Sequence, residues 1–298
     1  MHLAFVTYVK LPDLTEDDQL LVSYLSQKNI VVTPVLWDDA TIDWQQFDAI
    51  VLRSMWDYFE RPDEFNKWLD RLALLECNVL NPLSVVYWNQ NKKYFNDFSR
   101  RGILLPSYFI CPQNTELTLA TILKENGWNK AVVKPVISGG AYNTWVVSSS
   151  SVANDEIRFK QLLQTGDIIV QQFVEEIVTK GELSLIFFNK VFSHAICKKV
   201  KTGDFRVQTQ FGGTAEPIQP DKAILAQAEK LLLNIDEPLL YARVDGVVTD
   251  NGDFLLMELE LIEPGLSVFS NDKACENFHQ ALLEVMEMNN VVGQSLNK

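Results

Sequence analysis

The feature that most limits what this chain can fold into is the pair of runs Ala242-Arg243-Val244-Asp245 and Leu255-Leu256-Met257-Glu258-Leu259-Glu260, separated by a turn at Asp250-Asn251-Gly252-Asp253. Side chains in a strand alternate between faces, so Arg243 and Asp245 share one face, and Glu258 and Glu260 share one. Apolar neighbours fill the other face. Pairing of the two strands places three carboxylates beside one arginine, on a side that packing alone would fill with apolar residues. A solvated hairpin face carrying a salt bridge is the plainer alternative. Three oxygen ligands on rigid strands are also what Mg²⁺ with bound nucleotide phosphates requires.

The rest of the chain sets this hairpin in an alternating α/β order. Strands are expected at His2 to Tyr8, Ile30 to Leu36 and Ala49 to Leu52, with a helix from Thr15 to Lys28 between the first two. Short links between them point to a small parallel sheet whose ligand crevice lies beyond the carboxyl ends of its strands. Helices from Asp63 to Glu76 and from about Ser84 to Arg101 follow, and a domain boundary is placed at Gly102. Residues 103–172 read as a small α/β lid, and residues 173–298 as an α+β domain with an antiparallel sheet, the hairpin and a last helix near Ala274 to Met286. At 298 residues with 47% apolar and 22% charged residues, the chain can bury real cores, which excludes disorder. The formal net charge of -13 opposes a nucleic-acid partner. Four scattered cysteines with no Cys-x-x-Cys pair suggest neither zinc nor a disulfide framework, and no stretch approaches a membrane span, so a cytoplasmic location is expected.

Two further segments carry candidate chemistry. Val132-Val133-Lys134-Pro135-Val136-Ile137-Ser138-Gly139-Gly140-Ala141 is a strand ending in a lysine and a small-residue loop. Such a loop can lay backbone N–H groups on phosphate oxygens, with the lysine as a mobile charge; taken alone, a bare Gly-Gly turn is the commoner explanation. Ile168 to Phe173 is an apolar strand that runs into Val174-Glu175-Glu176, with Gly181-Glu182 after it. Its end can offer backbone groups to an adenine and carboxylates to a ribose, or be a core strand followed by a solvated turn.

In this order and spacing the three signals resemble the ATP-grasp superfamily, which includes glutathione synthetase, D-alanine ligase and RimK-type glutamate ligases. The resemblance covers about Asn81 to Ser267. It implies that Lys92 and Lys134 hold the α- and β-phosphates of ATP, and that Ser138, Gly139, Gly140 and Ala141 form the phosphate-covering loop. Gln172, Phe173 and Val174 would be the adenine hinge, with Glu175 and Glu182 at the ribose. Lys198 and Arg206 would be cationic groups near the transferred phosphate and the acid, Arg243 would stabilise the phosphoryl transition state, and Asp245, Glu258 and Glu260 would hold Mg²⁺. Many members have asparagine where Glu260 stands. Leu52-Arg53-Ser54-Met55-Trp56-Asp57-Tyr58, Trp88-Asn89-Gln90-Asn91-Lys92 and Leu259-Glu260-Leu261-Ile262-Glu263-Pro264 look closest to the branch with the cyclo-ligase of cycloserine biosynthesis.

The implied reaction is attack of a substrate carboxylate on the γ-phosphate, giving an acyl phosphate that an amine converts to an amide. Small-molecule acid and amine substrates are the expected partners, and a homodimer is left open. Rival readings are a phosphotransferase with a stable phosphorylated product, and a nucleotide-binding regulatory module without turnover. Arg53, Trp56, Asp57 and Tyr58, with Glu263, are expected to select the acid or amine, since they follow the third strand where an open α/β sheet receives its ligand. The plainer alternative pairs Arg53 with Asp57 and packs Trp56 and Tyr58 at the domain junction.

Overall fold

The computed structural model describes residues 1–201, 206 and 212–296. Strands β1 (His2–Thr7), β2 (Val31–Leu36), β3 (Ala49–Ser54) and β4 (Val79–Leu80) form a parallel sheet in the order β2-β1-β3-β4. Every residue of β3 is buried, as expected of a parallel strand covered on both faces. Helix α1 (Glu16–Gln27) starts at Thr15, whose hydroxyl oxygen accepts from the Asp18 N–H, and its Leu21 and Leu25 pack on Leu3, Phe5 and Val51. Helix α2 (Pro62–Leu74) covers the opposite face through Phe65, Trp68 and Leu69, which meet Ala4, Val6 and Leu52.

A single helix over Ser84 to Arg101 is corrected to two, α3 (Leu83–Asn89) and α4 (Tyr94–Arg100). The break has a local cause. The Lys92 N–H donates 2.8 Å to Val136 O, outside any helix, and Asn91 Oδ1 accepts from the Lys93 N–H at 3.0 Å.

The second sheet is antiparallel, with β5 (Tyr108–Cys111), β6 (Lys130–Pro135), β7 (Trp145–Ser148) and β8 (Ile168–Gln172) in the order β5-β8-β6-β7. Helices α5 (Leu119–Asn126) and α6 (Val152–Leu163) pack on it through Ile122, Leu123, Phe159 and Leu163. After the one-turn α7 (Glu176–Thr179) come β9 (Glu182–Phe188), β10 (Val191–Lys199), β11 (Thr214–Pro217), helix α8 (Lys222–Leu232), β12 (Tyr241–Val248) and β13 (Phe254–Glu260). These strands form an antiparallel sheet ordered β11-β10-β9-β12-β13. The expected mixture of one parallel sheet and antiparallel partners is therefore present; β4, α7 and β11 are additions to it.

The final helix α9 (Ala274–Leu296) crosses back to the first sheet. Its Phe278, Leu282 and Val285 share one core with Leu3 and Phe5 of β1 and with Ile186 and Phe188 of β9. Two buried amides fasten the hairpin to the entry of α3 and its end. Asn81 donates to Tyr241 O and Leu261 O, and accepts from Leu240 N–H, while Asn89 donates to Leu259 O and accepts from Leu261 N–H. Each satisfies backbone groups that would otherwise be buried alone.

The pairing of β12 with β13 shifts register between Asp245 and Gly246. A Cβ at 246 would lie 2.4 Å from Phe254 Cζ and 2.7 Å from the Leu255 carbonyl oxygen. Backbone cannot yield there as a surface side chain can. Gly246→Ala is expected to destabilise the protein by about 1–3 kcal/mol through overpacking, read from the midpoint of chemical denaturation; an unchanged midpoint would contradict it.

Candidate active site

The β12–β13 register sets Arg243 opposite Glu260 and Asp245 opposite Glu258, so all four side chains stand on one face. Val244, Leu256 and Leu259 fill the other side in the main core. Asp245 accepts from Arg243 Nε at 3.0 and 3.1 Å and from Nη2 at 2.9 Å. Ser184 on β9 donates its hydroxyl to Asp245 Oδ1 at 2.6 Å. Arg243 also pairs with Glu260 and donates to Gly265 O at 3.2 Å. Lys198 on β10 lies 3.4 Å from Asp245 Oδ2 and 3.5 Å from Glu182 Oε1.

Lys92, delivered by the break between α3 and α4, reaches the same cluster. Its Nζ lies 3.1 Å from Glu258 Oε1 and donates to Ser138 O at 2.5 Å. Lys134, the last residue but one of β6, lies within electrostatic reach of Glu258, Lys92 and Glu182, and burial of its ammonium lowers its pKa. Four cations and five carboxylates, counting Glu263, thus form one charged cluster where β6 meets the sheet of β9, β12 and β13.

The charges are not evenly matched. Burial pushes Asp245 up, but Arg243 and Lys198 outweigh it and hold the group at about 2. Burial of Glu258 is likewise outweighed by Lys92 and Lys134, which lower it. Burial dominates at Glu182 and Glu260, raised to about 7 each, and at Glu263, raised to about 8 with Glu260 adding to the shift. This crowding of carboxylates, three of which are hard to ionise without a further cation, fits a site for a hard divalent cation, as does the all-oxygen donor set on two rigid strands. Among the described residues no three His, Cys, Asp or Glu side chains stand close enough to hold a metal together, because these carboxylates are turned to Lys92, Arg243 and Lys198.

The glycine loop follows β6 directly. Ser138 is buried and donates to Pro135 O at 3.0 Å, and the backbone at Gly140 and Ala141 takes positive φ. At the end of β8 the Gln172 N–H donates to Ser107 O at 2.8 Å and the Phe173 N–H to Lys130 O at 3.1 Å, while Val174 is half-buried. Glu175 is exposed and pairs with Lys130 at 3.0 Å, whereas Glu182 is buried beside Lys198, so the structure does not bring these two carboxylates together. Arg206 is half-buried; Gly203, Asp204 and Phe205 before it lie outside the described residues.

Arg53, inside β3, and Asp57 after it are corrected in their roles. Arg53 is 1% exposed, donates from Nε to Asp18 at 2.8 Å and from Nη2 to Pro264 O at 3.0 Å, and stacks over the Tyr241 ring. It is a buried structural cation and not an open clamp for an acid. Asp57 is not paired with it either: Asp57 accepts from Arg61 at 2.6 Å and from Trp37 Nε1 at 2.8 Å, which removes it as a free ammonium site. Trp56 remains 39% exposed, with its indole N–H donating to Glu263 O at 3.1 Å. Tyr58 is buried, and burial together with Glu263, Glu260 and Glu258 raises its pKa well above the usual phenol range.

Residues 3–81 match the family described as the N-terminal domain of D-cycloserine synthetase DcsG. The cycloserine biosynthesis protein DcsG of Streptomyces lavendulae is 31% identical over 261 residues, covering 83% of this chain and 86% of that protein. The chain belongs to the DcsG family of ATP-grasp ligases. A crystal structure of D-cycloserine synthetase DcsG superposes with a TM-score of 0.86 at 27% identity, covering 96% of this chain and all of that one. D-alanine–D-alanine ligase from Bacillus anthracis complexed with ATP shares the fold, with a TM-score of 0.68 at 16% identity over 97% of this chain and 98% of that one. As a DcsG-family ligase, the chain is an enzyme of the class that forms C–N bonds.

Four side chains of this DcsG-family site carried no signal in the sequence. Ser184 orients Asp245, Asn81 and Asn89 hold the hairpin, and Asp18 holds Arg53. Only the alternation of Glu182 and Ser184 on one strand could have placed Ser184 toward the carboxylates.

Proposed function

We propose that this ligase uses ATP with Mg²⁺ to activate the carboxylate of a small amino-acid-like substrate as an acyl phosphate, which an amine nitrogen then displaces to give an amide, ADP and phosphate. The observation that carries the reading is the convergence of Lys92, Lys134, Lys198 and Arg243 on buried carboxylates at the mouth of a glycine loop. Lys92 and Lys134 are suited to neutralise phosphate oxygens, and Arg243 with Lys198 and Arg206 to meet the transferred phosphoryl group and the acid. Asp245, Glu258 and Glu260 would hold Mg²⁺, whose charge when bound offsets that of the phosphates. Ser138, Gly139, Gly140 and Ala141 would cover the phosphates, Gln172, Phe173 and Val174 the adenine, with Glu175 and Glu182 toward the ribose. Trp56, Tyr58 and Glu263 are left to shape the substrate pocket. The division into a substrate domain of residues 1–102, a lid of 103–172 and a metal-bearing domain of 173–298 belongs to the same reading.

In this scheme a carboxylate oxygen attacks the γ-phosphorus as ADP leaves, and the amine attacks the acyl carbon as phosphate leaves with that oxygen. The similar protein's name, cycloserine biosynthesis, points to a ring-closing case in which acid and nitrogen belong to one molecule. The test uses amino and hydroxy acids labelled with ¹⁸O in the carboxylate, each alone and with an amine. The reading expects amine-dependent ADP release with label in inorganic phosphate; a stable phosphorylated product would replace it with a phosphotransferase. ADP release from one bifunctional substrate together with an equal amount of its cyclic amide would identify cyclisation.

Lys134→Ala is expected to weaken ATP binding about tenfold or more with the thermal midpoint near wild type, since a charge-assisted phosphate contact is lost. Calorimetry with ATP in place of turnover reads this directly. Unchanged affinity would remove Lys134 from the phosphate site.

A further inference from the structure

The glycine loop between β6 and β7 is seated by a residue from outside its own sheet. Phe59, half-buried just beyond Tyr58, lies edge-on against Gly139: a Cβ at 139 would be 2.8 Å from Phe59 Cε1 and 2.9 Å from Cδ1. The Phe59 ring also meets the Tyr142 ring, with centroids 5.4 Å apart. The loop is also fastened by the Lys92 ammonium on Ser138 O and by the Ser138 hydroxyl on Pro135 O. Gly139 is therefore required for a contact with Phe59, a demand separate from any approach of the loop to phosphate.

Phe59 is a firm seat because the segment leading to it is pinned to the loop that follows β13. The Tyr241 hydroxyl bridges Leu52 O at 2.6 Å and Ile262 O at 2.8 Å, Arg53 donates to Pro264 O, and Trp56 donates to Glu263 O. Tyr58 packs on Phe59 with ring centroids 5.5 Å apart and faces Glu258, Glu260 and Glu263. One rigid brace thus runs from the carboxylate face to the tip of the glycine loop.

We propose that Phe59 is a positioning residue that seats the loop 138–142 over the site and so keeps water from the activated acid. The proposal rests on the acyl-phosphate reading. With the loop unseated, water attacks the acyl carbon, the bond from that carbon to the phosphate oxygen breaks, and phosphate leaves with the electron pair. The acid is regenerated, a proton passes to solvent, and ATP is consumed without an amide.

The experiment compares wild type with Phe59→Ala, Phe59→Tyr and Gly139→Ala. ADP and amide are counted in the same reaction, and hydrogen exchange of the 138–142 amides is followed in the free protein. In Phe59→Ala, amide formed per ADP is expected to fall about tenfold and loop exchange to speed up, as for an active-site cover that no longer closes. Gly139→Ala should do the same from the other side of the contact, and Phe59→Tyr, which keeps the ring edge, should restore both. A merely structural loss would lower stability and leave amide per ADP unchanged. Unchanged loop exchange in Phe59→Ala overturns the seat, and faster exchange at a wild-type amide-to-ADP ratio overturns the shielding. If wild type releases no ADP with any acid and amine, the acyl-phosphate reading falls and exchange still decides the seat.

Discussion

Glu258→Gln is expected to abolish turnover, with kcat lower by a factor on the order of 1,000 and the fold intact. Glu258 stands 3.1 Å from Lys92 and is held charged by Lys92 and Lys134 against the desolvation of its carboxylate, although about a third of the side chain stays exposed. Glutamine has the same shape and no charge. A hard cation would lose an anionic ligand, and the two lysines would face each other without the carboxylate between them. The side chain is half-exposed at the pocket, so the fold has little to lose. ADP release measured across a Mg²⁺ titration, with circular dichroism as the control for folding, checks the expectation. Retention of more than about a tenth of wild-type kcat would remove Glu258 from the chemistry.

Arg53→Ala is expected to cost about 3–5 kcal/mol of stability, the usual result of deleting one partner of a buried ion pair. Arg53 and Asp18 are 1% and 2% exposed in their side chains, and their contact is 2.8 Å. Ser54 and Thr15 still donate to Asp18 Oδ2, at 2.6 and 2.9 Å, but neither supplies a countercharge. The alanine also leaves Pro264 O and the face of Tyr241 without their partner. Denaturant unfolding should show the loss, and the surviving folded fraction should keep its KM for the acid. A rise in that KM with unchanged stability would return Arg53 to the pocket.

The hairpin was legible because two strands and a turn lie within twenty residues, and alternation alone places Arg243, Asp245, Glu258 and Glu260 on one face. The lysine before a glycine loop was legible for the same local reason. Arg53 was misread because its partner Asp18 sits on another element, and a lone arginine at a strand end looks the same whether it meets a ligand or a buried carboxylate. The helix over Ser84 to Arg101 looked continuous because Gln90 to Lys93 contain no Gly or Pro. What breaks it is a hydrogen bond from the Lys92 N–H to Val136 O, which has no local pattern, together with the local turn in which Asn91 Oδ1 accepts from the Lys93 N–H. β4 has only Val79 and Leu80, too short for any periodicity to register. Phe59 gave no signal because aromatic character does not say which loop a ring will touch.

The return of α9 to the first sheet bears on how the chain is made. Phe5 and Phe278 stand with ring centroids 6.3 Å apart, though β1 leaves the ribosome long before α9. Until Ala274 and the turns after it emerge, Leu3 and Phe5 have the cover of Leu21 and Leu25 of α1 but lack that of Phe278 and Leu282. The parallel sheet can pair early, but part of its apolar cover arrives only with α9, and until then that part is an aggregation-exposed surface of the nascent protein. A chain stalled before α9 is expected to bind holdase chaperones through its first strand.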